Sequence, residues 1–293
     1  MCAQQPERLR RVGVLSALAA DDPESIGRIT AFMQGLQEHG WSIGRNIRID
    51  HRWAKADVAD IQTHAAALVA LTPDIILANG GAVVGPLQQV TRIVPIVFAA
   101  VADPVGGGFV HSLLKPGGNA TGFTTYEYGI SGKWLELLKE IAPRVTRVAV
   151  VRDPTVASGS GQFGALQAMA PSFGVDLRPV NMRDATEIEQ SVTKFAQVPN
   201  GGLIITTGSG AIRQRELIID LAARHRIPAV YPNRFFVTGG GLISYGTDLV
   251  DQFRQAAGYV DRILKGEKPA EMPVLTPTKF ELVINRKVAD TLS

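Results

Sequence analysis

From Arg11 onward the chain alternates short β-rich apolar runs with amphipathic helical stretches, and it runs through that alternation twice. Few features restrict a fold more. Parallel strands need a crossover of a dozen or more residues, usually a helix, and the result is a sheet covered on both faces. In the first series the apolar runs are 12–15, 47–52, 75–78 and 96–99, with 121–125 continuing extended, and helices are expected over 26–39, 57–71 and 83–91. A helix over 131–141 leads into a second series with strands at 147–151, 176–181, 203–206 and 229–231 and helices near 161–173, 186–198 and 212–226. The expected fold is therefore α/β, with two doubly wound parallel-sheet lobes joined by a multi-strand hinge. The boundaries read as 11–122 plus 246–272 for an N-terminal lobe, 125–243 plus 278–293 for a C-terminal lobe, and 1–10 as an N-terminal tail.

The stretch 242–285 supplies the reason for the discontinuous boundaries. Leu242-Ile243-Ser244-Tyr245 reads as a strand, Thr247 or Asp248 offers a cap, and Val250, Phe253, Ala257, Val260, Ile263 and Leu264 recur at helical spacing. Gly266 stops that helix, and Pro269, Pro273 and Pro277 hold an extended return before Phe280, Leu282 and Ile284 alternate as a last strand. A long helix and a proline-punctuated return, placed after a complete α/β pattern, suit a chain that crosses back to an earlier lobe.

Composition removes several function classes. No apolar run approaches the ~18 residues of a membrane helix. Net charge is +3, and no concentrated Lys/Arg stripe marks a nucleic-acid partner. The single cysteine, Cys2, excludes an internal disulfide and an all-cysteine metal site; it reads either as a lipid-attachment residue or as an expression remnant. The five histidines lack metal-ligand spacing, and no Walker A lysine, HExxH, nucleophile elbow or GxGxxG is present, so no metal or cofactor is expected.

Ligands of open parallel sheets bind beyond the carboxyl ends of the strands, where strand order reverses. Ser16, Asn79, Gly80 and Asp103 follow strands of the first series, and Asp153, Thr207 and Tyr231 follow strands of the second. Thr125, Tyr126 and Tyr245 sit on the crossing segments. An aspartate suits a ligand ammonium, glycine-flanked amides suit a carboxylate, and tyrosines suit an apolar portion. Each has a structural alternative. Asp103-Pro104 and Asp153-Pro154 equally form turns, Thr207 caps a helix, and Tyr245 packs at a lobe junction. Trp41, Trp53 and Trp134 read as packing residues.

With these residues placed, the chain resembles the type I periplasmic substrate-binding components of ABC transporters, in the group related to tryptophan/tyrosine uptake. The likeness is carried by Arg45-Asn46, Arg52-Trp53, Pro95-Ile96-Val97-Phe98 with Asp103-Pro104-Val105, the 116–122 run Pro-Gly-Gly-Asn-Ala-Thr-Gly, Tyr245-Gly246-Thr247-Asp248, the helix end 257–266, and 277–285. The resemblance implies a monomeric receptor, periplasmic or attached to the cell envelope, that closes on an amino acid or related carboxylate and delivers it to an ABC permease without catalysis. The compartment rests on the resemblance alone, since 1–10 carry no export signal. Two other classes stay open at this stage: a two-lobed enzyme with Asp103 and Asp153 as an acid/base pair, and a ligand-sensing regulatory module.

Overall fold

The first strand, β1 (Arg10–Ser16), lies inside a five-stranded parallel sheet. The structure is a computed structural model that describes residues 9–55, 57–125 and 128–292, with Ser209 by its backbone alone. Cys2 and Tyr126 fall outside the described residues. Two units divide the chain: Met1–Thr125 with Leu249–Pro277, and Tyr126–Asp248 with Thr278–Ser293.

In the first unit, β2 (Ile47–Trp53), β3 (Ile75–Asn79), β4 (Ile96–Val101) and β5 (Ala120–Thr124) join β1 in the order β2-β1-β3-β4-β5. Helix α1 (Pro23–Glu38) starts where the Asp22 side chain accepts from the Glu24 N–H at 2.9 Å, with Pro23 at the first helical position. It packs on one face together with α10 (Leu249–Leu264), around Val12, Val14, Phe32, Phe253 and Val260. Helices α2 (Val58–Ala70) and α3 (Gly81–Val90) cover the other face around Leu15, Ile61, Leu68, Ile76 and Leu87. The α1–α10 approach is tight: a Cβ on Gly35 would lie 2.7 Å from both Ala257 Cβ and the Arg254 carbonyl oxygen. The buried stripe of α10 begins one residue before its expected start. Leu249 is buried and Val250 is 45% exposed, because the helix opens at Leu249.

The second unit repeats the topology. Helix α4 (Ile130–Ile141) leads to β6 (Arg147–Arg152), α5 (Ala157–Met169), β7 (Asp176–Asn181), α6 (Ala185–Ala196) and β8 (Gly201–Ile205). Then follow α7 (Ser209–Arg213), α8 (Arg215–Arg224), β9 (Ala229–Tyr231), α9 (Arg234–Thr238), β10 (Ile243–Thr247) and, after the return, β11 (Phe280–Ile284) and α11 (Arg286–Leu292). The order is β11-β10-β9-β8-β6-β7, parallel except for β11. The helix expected over 212–226 is divided at Gln214, and α5 begins at Ala157, four residues before the expected start at 161. Strand β10 continues to Thr247, which faces Phe280 of β11, so residues 246–248 belong to this second unit and the chain crosses at Leu249. The return segment lies against β5: the Thr121 hydroxyl donates to the Met272 carbonyl at 2.7 Å, and Phe123 bridges Leu275.

Candidate ligand-binding site

Strand order reverses at β1/β3 in the first sheet and at β6/β8 in the second, so the search narrows to those four strand ends. At the first, Ser16 and Asn79 are register neighbours, and both are almost completely buried. The Asn79 amide donates to Ser16 Oγ at 2.9 Å, and the Leu18 N–H donates to the same oxygen at 3.1 Å. Asn79 Oδ1 accepts from Arg28 Nη1 at 3.4 Å, which fixes the orientation of the amide, since a flip would set its NH2 against the guanidinium.

Arg28 is only 2% exposed. It reaches the Glu24 carboxylate at 3.6 Å and lies over the Phe253 ring at 5.9 Å. Sequence reasoning passed over Arg28, although its spacing four residues before Phe32 and eight before Leu36 places it on the buried stripe of α1. Gly80, at φ +100°, turns the chain into α3 with its N–H bound to the Ala99 carbonyl.

At the second switch point, Thr207 is buried and doubly bound to Gln162 of α5. The Gln162 amide donates to Thr207 Oγ1 at 2.8 Å, while the Thr207 N–H donates to Gln162 Oε1 at 3.0 Å. A hydroxyl that accepts keeps its own proton to give. Asp153 closes a turn, its Oδ1 accepting from the Thr155 N–H at 2.9 Å and from the Thr155 hydroxyl at 2.6 Å. Its Oδ2 has no hydrogen bond among the described residues, and it faces the start of α7: a Cβ on Gly210 would lie 3.8 Å from it. Sequence reasoning also passes over Gln162, whose local sign of burial is its spacing four residues before Leu166 on α5.

The other candidates divide. Asp103 holds the turn after β4, with Oδ1 accepting from the Gly106 N–H at 2.7 Å. Thr125 is buried, and its N–H binds the Val101 carbonyl. Tyr245 is half-buried, stacks on Phe280 at 5.8 Å, and gives its carbonyl to the Trp134 indole N–H at 2.7 Å. Tyr231 corrects the expectation of an accessible strand tip. It is wholly buried in the second unit's core, its ring stacked 5.0 Å from Phe236, and burial pushes its phenol well above the usual range. Ala229 and Tyr231 point to the face that α8 and α9 cover, so the side chain is enclosed. The 116–122 run also proves to be scaffold. Asn119 donates to the Thr91 and Val94 carbonyls, and a Cβ on Gly122 (φ +150°) would lie 2.0 Å from the Phe98 carbonyl oxygen.

Two open sheets of one topology, each with short polar side chains at its switch point, are an arrangement in which small molecules commonly bind. The chain belongs to the ABC transporter substrate binding protein family, whose model matches residues 12–293. Its fold is that of type I periplasmic binding proteins. Among relatives, a tyrosine-binding protein of Clostridioides difficile is 27% identical over 267 residues, covering 89% of this chain and 74% of its own. A conserved domain protein of Vibrio cholerae shares 26% identity at a TM-score of 0.90, covering 97% and 95% of the two chains. An ABC domain from Streptococcus pneumoniae in complex with L-Trp matches at a TM-score of 0.89 and 24% identity, covering 97% and 94%.

Proposed function

We propose that this protein is the receptor for uptake of an aromatic amino acid, which it binds without catalysis and passes to an ABC permease. It acts as a monomer outside the cytoplasm, in the periplasm or attached to the envelope. The observation that carries the ligand class is the tyrosine-binding relative, aligned over 89% of this chain. The L-Trp complex of a protein with the same fold agrees with it.

The chemistry of the strand ends supports the same class. Asp153 offers Oδ2 to an ammonium, and Thr207 keeps a hydroxyl proton for an acceptor such as a carboxylate. Both aspartates of the acid/base alternative are engaged in holding their own turns, and no observation favours that reading.

Isothermal titration against L-tyrosine, L-tryptophan, L-phenylalanine, L-leucine and myo-inositol tests the proposal. An aromatic amino acid is expected to bind with a Kd of about 10 μM or tighter, equivalent to roughly 7 kcal/mol, and to be recovered unchanged. Binding of myo-inositol or leucine with no response to any of the three aromatic amino acids overturns the ligand class.

A further inference from the structure

Residue type alone assigns Trp41, Trp53 and Trp134 to packing, and two of the three pack. Trp134 is wholly buried, with its N–H on the Tyr245 carbonyl. Trp41 packs on the core of the first unit and donates to Asp261 Oδ1 at 2.9 Å. Trp53 does neither. It is partly exposed, joins none of the hydrophobic clusters, and its indole N–H has no partner among the described residues.

Its place in the sheet is specific. Trp53 is the last residue of β2 and the register neighbour of Ser16, which in turn neighbours Asn79. In-register residues of parallel strands point to the same face. Trp53, Ser16 and Asn79 thus form one row at the carboxyl end of the sheet, on the face where α1 carries Arg28. Two residues back on the same strand, the His51 ring stacks on the indole with centroids 5.1 Å apart and planes 7° from parallel. That stacking holds the indole from one side, while His51 Nδ1 is itself buried without a hydrogen bond.

We propose that Trp53, backed by His51, is the surface on which the first unit stacks the ring of its aromatic amino acid, and so decides for aromatic over aliphatic side chains. The inference rests on the ligand class proposed above and names the residue that sets it. A ring stacked on the indole gains the offset π contact together with the burial of both faces, whereas an aliphatic side chain gains only the burial.

The test uses the full chain with L-phenylalanine, L-tyrosine and L-leucine as probes. Trp53→Ala is expected to weaken L-phenylalanine and L-tyrosine about tenfold, to leave any L-leucine affinity within about threefold, and to be largely restored in Trp53→Phe. An independent readout needs no alanine variant: L-phenylalanine should alter the tryptophan emission of the wild type, and that change should vanish in Trp53→Phe, where Trp41 and Trp134 remain. Aromatic binding by the wild type that is undiminished in Trp53→Ala, or an emission change that persists in Trp53→Phe, overturns the role of Trp53 alone. A wild type that binds no aromatic amino acid overturns the ligand class and this inference together.

Discussion

Gln162 and Thr207 form a closed, buried exchange of two hydrogen bonds, and its energetic signature is predictable. Gln162 is wholly buried and Thr207 is 7% exposed, with bonds of 2.8 and 3.0 Å between them. Gln162→Leu keeps the volume but leaves the Thr207 N–H and hydroxyl unpaired. An orphaned buried donor costs about 1–3 kcal/mol and a lost neutral bond about 1, so this variant should lose about 2–4 kcal/mol. Thr207→Val strands the Gln162 amide group and should lose about 1–3 kcal/mol. Both singles break the same Nε2–Oγ1 contact, so the double variant should cost about 1–2 kcal/mol less than their sum. Urea unfolding measures this in a Trp41→Phe, Trp53→Phe background, where Trp134 alone reports the second unit. Single variants within about 0.5 kcal/mol of the parent, or costs that add to within about 0.5, would refute the exchange.

Gly122→Ala should be among the most damaging single changes, losing about 3 kcal/mol or more in a thermal or urea melt. Its Cβ would press on the Phe98 backbone at a φ that alanine avoids. Burial lowers the pKa of His51 from 6.5, so the unfolded chain takes up a proton that the folded one resists. Its contribution to stability is therefore complete above pH 6.5 and is lost as pH falls toward the folded value; the unfolding free energy of wild type should decline over that window more steeply than that of His51→Gln. Asp153→Asn should retain the Thr155 turn through its remaining carbonyl oxygen while weakening an ammonium-bearing ligand about 10- to 100-fold in a titration, in line with ~1.5–3 kcal/mol for a charged hydrogen bond. An unchanged Kd would remove Asp153 from the site.

The alternation of strands and helices was readable because hydrophobic periodicity is a local property. The long helix and three prolines point to a chain that crosses back over 246–272, and Leu249–Pro277 groups with Met1–Thr125 in one compact unit. Tertiary partners are not local, and the candidate site shows the consequence. Asn79 was selected because an amide ending an apolar strand needs partners. It has them in Ser16 and Arg28, side chains distant in sequence by 63 and 51 residues. Tyr231 looked like a strand tip because β9 is only three residues long, yet its side chain points to the face that α8 and α9 enclose. Trp53 was assigned to packing by residue type, and only the register with Ser16 shows the row it belongs to. Arg28 and Gln162 stand four residues before Phe32 and Leu166, on the buried stripes of their helices, so spacing marks their burial, while their partners Asn79 and Thr207 come only from the tertiary fold.

Each sheet starts at an inner strand and places its next strand on one side and the third on the other, which is why both share one order. From β1 the chain leaves to α1 on one face, and from β3 to α3 on the opposite face. The two connections must diverge, and the gap between them lies beyond the strand ends. Residues 16–25 and 79–83 bound that gap in the first unit, and 153–160 with 206–211 bound its counterpart in the second. Ligand contact should therefore slow amide exchange in those four segments, whereas β9 and α9, where Tyr231 is enclosed, should exchange at the same rate with or without ligand. Hydrogen exchange with mass spectrometry on the free and the L-tyrosine-saturated protein makes the comparison. Protection centred on 229–238, with none at the β1/β3 and β6/β8 ends, would mean that the ligand enters elsewhere and that strand-order reversal does not locate the site.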